Sequence, residues 1–408
     1  MKFSVVIPTH NRLDLLSDAI QTVLRQDQGN WELVIFDNAS TDDIAGHVAG
    51  LSDSRIRYAR SDEFLPVTDS WNRAIELASG DYVVFLGDDD GLAPGFFSGM
   101  SAIIRQFQSP EVVYCALYQF LHPGVAPWDR GGYVADVKNG FFFAGRNAPF
   151  VLTPKDAQKA VNGSIALRRN FTFNIQAFTF GRDLLARLRE QGPIFRSPFP
   201  DYYLANIALA KARSTVIVPS AMSIAGVSKA SFGFTLFNDL EEKGAQILNA
   251  NLTKDPLYGE VEKFLLPGPL YNTNYAVTME HVARQAGSFV GRGVDYGRYR
   301  RLQLFALLGA GKGRLSGVEG GADLWSRLTA FEKLWTWAIS AALLFGRLVG
   351  LEAQLRRVLQ RLLSPYGFQP KPLLLDRGSF TRLIQIFDAI QNRAFEKPRR
   401  QPVQPGKH

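Results

Sequence analysis

The chain contains one stretch in which an apolar run leads directly into three acids: Asp81-Tyr-Val-Val-Phe-Leu-Gly-Asp88-Asp89-Asp90-Gly91. The apolar run is short and bounded by turn residues, which predicts a strand buried on both faces of a sheet. Three neighbouring carboxylates repel one another unless a cation compensates their charge. Mg²⁺ prefers oxygen ligands and is commonly held by one or two carboxylates together with substrate phosphates. The stretch therefore predicts a metal–diphosphate site at a strand end, although a solvated acidic turn that caps the next helix is also compatible with it.

Strand and helix signals alternate through residues 1–120. Short β-branched or aromatic runs predict strands at 3–7, 31–36, 55–58, 82–86 and 112–120. Apolar residues at helical spacing predict helices at 12–26, 68–79 and 94–107. Strands separated by helices of this length are typical of an α/β fold with a doubly wound, mostly parallel sheet.

Polar residues collect where three of these strands end. Pro8-Thr-His-Asn-Arg12 follows the first strand, Asp37-Asn38 follows the second, and the acidic stretch follows the fourth. The carboxyl ends of parallel strands meet at one edge of a sheet, and open α/β sheets bind ligands there. No Gly-x-Gly-x-x-Gly pattern follows the first strand, so the sequence does not predict a dinucleotide-binding Rossmann site.

Four segments in this order and spacing carry a family resemblance. They are Phe3-Ser-Val-Val-Ile-Pro-Thr-His-Asn-Arg12, Asp37-Asn-Ala-Ser-Thr-Asp42, Ser70-Trp-Asn-Arg73 and Gly80-Asp-Tyr-Val-Val-Phe-Leu-Gly-Asp-Asp-Asp90. Together they resemble family 2 glycosyltransferases of the GT-A fold, strongly over residues 1–120 and less clearly to about residue 230. The resemblance implies an inverting transferase that uses a nucleotide-diphospho-sugar, expected to be UDP-linked, and a divalent metal, Mn²⁺ or Mg²⁺.

The same resemblance suggests which residues bind the nucleotide. Pro8, Thr9 and Arg12 would border the nucleoside, and Asp37 would hydrogen-bond the base, with Asn38 beside it at the same strand end.

The three acids match the acidic motif that, in such relatives, holds the ribose and, through the metal, the diphosphate. Many relatives carry an Asp where this chain has Gly87, so the acidic group is shifted by one position. We expect Asp89 to be the main metal ligand and Asp88 to contact the ribose or the metal. Asp90 belongs to the same predicted metal group, and its individual role stays open.

Residues 121–235 are expected to form the acceptor side. Pro200 fits the first position of a helix, and Asp201 lies in the first turn, where the helix dipole favours a carboxylate. Capping alone would explain Asp201. The resemblance adds a second interpretation, because inverting relatives place a general base at such a helix start, and direct displacement needs one base to take the acceptor proton. We therefore predict that Asp201 is the catalytic base.

Three weaker predictions concern the same region. The aromatic run at 171–180 predicts a strand whose rings fill the core, and 215–220 predicts the last strand of the domain. A Gly/Ser/Lys loop at 224–233 follows. Its Lys229 would either clamp the diphosphate or remain solvated.

Charge is distributed unevenly along the chain. The net formal charge is +8, and residues 296–408 contain 19 Lys and Arg against 7 Asp and Glu. Within them, residues 334–345 carry no charge, but this run is too short to span a bilayer. Either it forms a buried helix that packs on the transferase core, or residues 334–361 form an interfacial helix whose tryptophans and arginines meet an anionic membrane surface.

The predicted organisation is a GT-A-like domain at 1–235, with nucleotide-sugar binding at 1–120 and the acceptor side at 121–235. A mainly helical C-terminal extension at 236–395 and a disordered basic tail at 396–408 would follow. The single cysteine, Cys115, cannot form an internal disulfide, and the N-terminus lacks a signal-type apolar segment. We therefore expect a cytoplasmic protein, with peripheral attachment to the inner face of the plasma membrane left open.

The function that these patterns favour is a metal-assisted, inverting hexosyltransferase acting on a glycan or lipid-linked acceptor. No nucleic-acid-binding module accompanies the basic C-terminal part, so nucleic acid is not an expected partner. Two alternatives stay open, a nucleotidyltransferase and a catalytically degenerate GT-A module that serves as a binding or scaffold protein.

Overall fold

A computed structural model describes residues 1–126, 131–137, 140–196, 198–238, 240–248, 252–311, 314–351, 354–355, 358 and 372–395. The strands within them are β1 (Phe3–Thr9), β2 (Trp31–Asp37), β3 (Ile56–Arg60), β4 (Tyr82–Phe85), β5 (Gly91–Leu92), β6 (Val112–Leu121), β7 (Tyr133–Val137), β8 (Phe150–Val151), β9 (Phe178–Gly181), β10 (Thr215–Val227) and β11 (Leu373–Arg377).

The helices of the N-terminal half are α1 (Leu13–Leu24), α2 (Ile44–Gly50), α3 (Val67–Glu76), α4 (Phe96–Gln106), α5 (Gly140–Phe143), α6 (Pro154–Ile165), α7 (Arg182–Arg189) and α8 (Pro200–Lys211). Those that follow are α9 (Phe232–Phe237), α10 (Glu241–Leu248), α11 (Tyr258–Val261), α12 (Leu270–Ala286), α13 (Tyr296–Ala310), α14 (Gly321–Ser326), α15 (Ala330–Leu348) and α16 (Leu383–Gln391). The α/β prediction is confirmed, and the predicted elements of residues 1–120 differ from the observed ones only at their ends.

The part of the sheet built from residues 1–85 is parallel. Its strands lie in the order β3-β2-β1-β4, and Thr9 at the end of β1 is paired with Asp37 at the end of β2. Both strands are buried along their whole length, because apolar layers cover both faces of the sheet. The parallel core places the predicted polar strand ends on one edge, as the sequence indicated.

Antiparallel strands extend the sheet beyond β4. β9 pairs antiparallel with both β4 and β6, and β7 pairs antiparallel with β6. β10 runs parallel to β6, with irregular register between Val218 and Ser223, and then pairs antiparallel with β5 so that Ile224 lies opposite Gly91. The strand predicted at 215–220 was therefore too short, because β10 continues through these bulges to the acidic stretch.

The aromatic run at 171–180 is a strand only at its end. A 3₁₀ turn at Ile175–Ala177 precedes β9, and residues before that turn are not in a ladder. The prediction that the rings fill the core is confirmed, because Phe171, Phe173, Phe178 and Phe180 are all fully buried in one cluster. Burial of aromatic side chains, rather than strand pairing, explains the apolar run.

The C-terminal region returns to the N-terminal domain. β11 pairs antiparallel with β7, and α16 packs on α1, where Arg382 forms an ion pair with Asp18 and Arg25 forms another with Asp388. The region after residue 236 is helical apart from β11 among the residues described. The strand at 215–220 is thus not the last one of the sheet. The predicted disordered tail, 396–408, lies outside the described residues.

Helix α15 has two different faces. Ile339 and Leu343 are buried against Leu304 and Leu308 of α13, whereas the opposite face is exposed. In the part of the chain that the structure describes, no helix has the length and apolarity needed to cross a bilayer.

Candidate active site

The acidic stretch forms a tight turn between β4 and β5. The three acids are buried, with 3% of Asp88 and 6% each of Asp89 and Asp90 exposed. Their carboxylates point to three different sets of partners. The geometry therefore assigns them different roles, which their adjacency in sequence did not reveal.

Asp88 faces the end of β1. The hydroxyl of Thr9 donates to Oδ2 of Asp88 at 2.8 Å, and Nη1 of Arg12 donates to Oδ1 at 3.1 Å. Burial raises the pKa of Asp88, while the charge of Arg12 opposes that rise. The other guanidinium nitrogen of Arg12 donates to the carbonyl oxygen of Ala230. The structure thus brings together three residues that the sequence placed in one site.

Asp89 faces the turn after β10. Its Oδ2 accepts hydrogen bonds from the backbone N–H and the hydroxyl of Ser228, at 3.2 and 3.0 Å. Among the described residues, none donates a hydrogen bond to the other oxygen, Oδ1. A Cβ at position 87 would lie 3.2 Å from that oxygen, so Gly87 keeps the space beside it open.

Asp90 is turned inward and links three segments. The N–H of Gly87 donates to its Oδ2 at 2.7 Å, and Oδ1 accepts from Nε2 of Gln176 at 3.0 Å and from the N–H of Gly226 at 2.9 Å. Burial and the neighbouring charge of Asp89 raise the pKa of Asp90 well above its ordinary range, and the N–H groups of Gly87 and Gly226 oppose this. A side chain at position 87 would also crowd Oδ2 of Asp90, at 2.9 Å.

Gly226 is a site residue that the sequence analysis missed. A Cβ there would lie 1.7 Å from the carbonyl oxygen of Asp89, a distance at which no side chain fits. The absence of a Cβ lets β10 pass directly against the acidic turn. Gln176 and Ser228 were also missed. They contact the acids from positions far away in sequence, so no local motif indicated them.

The loop predicted at 224–233 is shorter in the structure. Its first residues belong to β10, and α9 begins at Phe232, so only residues 228–231 form a turn. The hydroxyl of Ser231 donates to the carbonyl of Ser228 at 2.6 Å, which closes that turn. Lys229 is exposed, and its side chain extends towards Gly124.

Asp37 is fixed by its own chain at the end of β2. Its Oδ1 accepts from the N–H of Ser40 at 2.8 Å, and Oδ2 accepts from the hydroxyl of Tyr58 and from Nη1 of Arg60, both at 2.7 Å. Burial acts to raise its pKa, but the hydrogen bonds from Ser40 and Tyr58 and the charge of Arg60 hold the pKa of Asp37 below its ordinary value. The residue is therefore a rigid, ionised acceptor.

Asn38 shapes the loop beside Asp37. Its side-chain amide donates to the carbonyl of Leu65 at 3.0 Å and accepts from the N–H of Leu65 at 2.9 Å. Its backbone carbonyl accepts from Nδ1 of His10 at 2.7 Å. The ring of His10 lies 4.3 Å from that of Phe64, which is 43% exposed. An aromatic surface that the sequence did not predict therefore adjoins the end of β2.

Asp201 lies in the first turn of α8, directly after Pro200, as the sequence predicted. The residue is partly buried, and burial raises its pKa to about 6, against the N–H of Tyr202 and the charge of Arg169. Nη1 of Arg169 donates to the hydroxyl of Tyr202 at 3.1 Å. A carboxyl with a pKa in this range can hold and release a proton near neutral pH.

Aromatic contacts join the start of α8 to the acidic turn. The ring of Phe199 lies 5.4 Å from that of Phe232 at the start of α9. Phe232 follows the 228–231 turn, whose Ser228 contacts Asp89. Asp201 and Asp89 are thus attached to one packed unit, although they are far apart in sequence.

The arrangement of the three acids suits a cation that also binds a substrate, and not a cation held entirely by protein side chains. In the described ranges, no group of three or more His, Cys, Asp or Glu side chains converges as a preformed metal cage. Asp88 and Asp89, with the open space beside Gly87, instead suit a cation whose remaining ligands come from substrate phosphates.

Comparisons with known proteins find similarity to glycosyltransferases over the N-terminal part of the chain. Residues 4–150 match the family model described as glycosyl transferase family 2. A putative colanic acid biosynthesis glycosyl transferase, WcaA, of Escherichia coli (strain K12) is 37% identical over 117 residues, which are 28% of this chain and 42% of that protein. A GalNAc(5)-diNAcBac-PP-undecaprenol beta-1,3-glucosyltransferase of Campylobacter jejuni subsp. jejuni serotype O:2 is 37% identical over 100 residues, 24% of this chain and 32% of that protein.

One solved structure with a similar arrangement is S. aureus TarS 1-349. It is 16% identical, with 76% of this chain and 87% of that chain covered at a TM-score of 0.45. The chain spans less than half the length of the two curated relatives.

Proposed function

We propose that the chain moves a sugar from a nucleotide-diphospho-sugar to an acceptor hydroxyl, with inversion, because residues 4–150 match the glycosyl transferase family 2 model. One observation carries the proposal. The buried carboxylates of Asp88 and Asp89 lie where β1 and β4 end, held by Arg12 on one side and by Ser228 on the other. Burial of this pair at the strand ends fits a site for a metal-bound diphosphate better than it fits a solvated turn that caps a helix.

Asp88 and Asp89 would hold the divalent cation, Mn²⁺ or Mg²⁺, with Asp89 as the main ligand through its open Oδ1. When bound, that cation would stabilise the charge that a leaving nucleoside diphosphate gains. Asp90 belonged to the predicted metal group. We now propose that it acts on the cation indirectly, because its inward-turned carboxylate accepts three hydrogen bonds, two of them from the backbone N–H groups of Gly87 and Gly226, whereas Asp88 is bonded only by side chains.

The nucleoside of the donor, which we expect to be uridine, would lie along the ends of β1 and β2. Pro8, Thr9 and Arg12 would border it, and the ionised carboxylate of Asp37 would accept a hydrogen bond from the base. Asn38 would contribute by holding the adjacent loop. Its side-chain amide is already used within the chain.

Asp201 would act as the base of a single displacement. The acceptor oxygen forms a bond to the anomeric carbon while the bond from that carbon to the diphosphate oxygen breaks, and the diphosphate leaves with the electron pair. The proton of the acceptor hydroxyl passes to Asp201. Attack opposite the leaving group inverts the anomeric configuration.

The acceptor would be a glycan or a lipid-linked glycan, as in polysaccharide biosynthesis. The name of the Campylobacter relative includes an undecaprenol-linked acceptor, which supports the lipid-linked alternative. A cytoplasmic location belongs to the same proposal.

Donor hydrolysis tests the reaction class. With a panel of nucleotide-sugars and Mn²⁺, we expect release of nucleoside diphosphate from one donor, reduced at least about a hundredfold by EDTA or by Asp89→Asn. Asp43→Asn is the matched control, because that exposed carboxylate only caps α2. No release from any donor would favour the scaffold alternative. Release of pyrophosphate in a parallel assay, with a nucleoside triphosphate and a sugar phosphate as substrates, would favour a nucleotidyltransferase.

The pH dependence of kcat/KM tests the base. Asp201 must be ionised to accept a proton, and its pKa is about 6, so kcat/KM should be constant above pH 7 and fall about tenfold per pH unit below 6. Donor affinity, measured by calorimetry at each pH, separates this limb from titration of the donor site. A flat profile down to pH 5 would contradict the assignment.

A further inference from the structure

The outward face of α15 is apolar along the whole helix. The exposed fractions are 74% for Phe331, 69% for Leu334, 67% for Trp337, 64% for Phe345 and 85% for Leu348. Small exposed alanines at 338, 341 and 342 fill the space between them. At 1.5 Å per residue, the face is about 27 Å long. Exposed apolar surfaces of this extent usually mark an interaction site.

Packing fixes which side of α15 faces outward. Ile339 and Leu343 are buried on the opposite side. Glu332 is also buried and forms an ion pair with Arg300 at 2.7 Å, while Thr329 caps the helix start. The exposed face is therefore held in one orientation. Among the described residues, the buried face packs on α13 in a cluster of its own, and not on the transferase core as one interpretation of 334–345 predicted.

Charge along and after α15 favours an anionic partner. The helix carries Lys333 and Arg347 and two acids are present up to residue 361, Glu332 and Glu352, while the sequence after the helix adds three further arginines, Arg356, Arg357 and Arg361. One of those two acids, Glu332, is on the buried side. Among the described residues of α15, no acidic side chain is exposed. A second copy of this chain would bring the same positive charge to the contact and would be repelled.

Tryptophan supports a lipid surface rather than an acidic protein. The ring of Trp325 lies edge-on to the exposed Trp337, with 6.3 Å between centroids. Tryptophans at the border of an apolar face are typical of segments that lie at headgroup depth. An apolar face without acids, flanked by basic residues, combines burial in the headgroup region with attraction to anionic lipid.

We propose that α15 lies in the plane of an anionic bilayer, with the face formed by Phe331, Leu334, Trp337, Phe345 and Leu348 inserted among the headgroups. The inference that this docking serves a lipid-linked acceptor rests on the proposed function. The docking itself does not.

Vesicle co-sedimentation of the full-length protein tests the proposal. We expect binding to phosphatidylglycerol vesicles at low salt and much weaker binding to phosphatidylcholine vesicles. The triple variant Leu334→Ser, Trp337→Ser, Phe345→Ser should lower the partition coefficient at least about a hundredfold, since each buried apolar side chain is worth roughly a factor of ten. Val151→Ser, at a 55% exposed apolar residue of β8, is the matched control and should leave binding unchanged.

Point variants are preferable to truncation. Removal of the chain after about residue 320 would also remove β11 and α16, which pack on the N-terminal domain. Quenching by brominated lipid gives a second readout, and it should be largely lost in Trp337→Phe.

Three outcomes would overturn the proposal: no vesicle binding, equal binding by the triple variant, or an oligomer in solution that only the triple variant dissociates. Donor hydrolysis measured without membranes distinguishes a failure of membrane docking from a failure of the proposed transferase function. The triple variant should release nucleoside diphosphate like the unmodified chain. Absence of hydrolysis in the unmodified chain would remove the transferase proposal while the vesicle result stayed interpretable.

Discussion

We expect replacement of Asp201 by Asn to abolish sugar transfer and to leave donor binding intact. Asn keeps the size of the side chain but cannot accept the proton of the acceptor hydroxyl. Loss of a general base lowers kcat by about 10²–10⁴-fold. The measurement is kcat for transfer together with calorimetric donor affinity, which should change little because Asp201 is not among the residues that border the nucleotide.

The chain offers a closely matched control for this variant. Asp183 occupies the same position of α7 that Asp201 occupies in α8, the second residue of the helix, but Asp183 is exposed. Asp183→Asn removes an equivalent favourable interaction with a helix dipole and should retain normal turnover. Near-normal turnover of Asp201→Asn would eliminate Asp201 as the base and leave it as a helix cap.

Stability provides an independent check on Asp201. Its pKa is raised in the folded state, so the folded chain binds more protons than the unfolded one between the ordinary pKa and about 6. Stability therefore decreases as pH rises through that window, and the loss is complete above it. At pH 8, Asp201→Asn should melt at the same temperature as the unmodified chain or higher, so lost activity will not reflect unfolding.

Replacement of Gly226 by Ala should disable the donor site with a comparably large effect. The new Cβ would lie 1.7 Å from the carbonyl oxygen of Asp89, so the backbone of β10 or of the acidic turn must move. That movement breaks the hydrogen bond from Gly226 to Asp90 and displaces Ser228 from Asp89. Misplacement of a binding group by about 1 Å costs on the order of 10²-fold in rate, so metal-dependent donor hydrolysis should fall at least that far.

Two further variants show whether a loss of hydrolysis in Gly226→Ala comes from displacement of the backbone. Gly259→Ala is the control, because no heavy atom lies within 4 Å of the position that its Cβ would take. Ser228→Ala leaves the backbone in place and removes only the hydroxyl contact to Asp89, so a smaller loss of hydrolysis is expected, with normal melting. Unchanged hydrolysis in Gly226→Ala would show that the acidic turn does not depend on its contact with β10.

The meeting of the polar strand ends at one edge of the sheet was predictable because its signals are local. Pro8, Thr9, Arg12 and the acids directly follow apolar strands, and parallel pairing brings consecutive strand ends to one edge. Asp201 was predictable for a similar reason, since the proline before it marks a helix start. Periodicity and turn residues are sufficient for features of this kind.

The contacts that separate the roles of the three acids could not be predicted. Gln176, Gly226 and Ser228 reach Asp90 and Asp89 from 86, 136 and 139 residues away. Gly226 and Ser228 arrive there because β10 shifts its register before it meets β5, and hydrophobic pattern alone does not specify such a bulge. Gln176 arrives there on the 3₁₀ turn before β9. The strand predicted over the aromatic run at 171–180 was too long, because aromatic residues that fill a core produce the same apolar pattern as a strand.

The return of α16 to the first helix makes completion of the donor domain a late event in biosynthesis. Leu383, Ile386 and Phe387 are almost fully buried, and a Cβ at Gly91 would lie 3.1 Å from the side chain of Leu383. A ribosome that has synthesised only the segment matching the family model has therefore not yet supplied the outer support of the acidic turn. More than two hundred further residues must be synthesised before this part of the domain interior is closed to water.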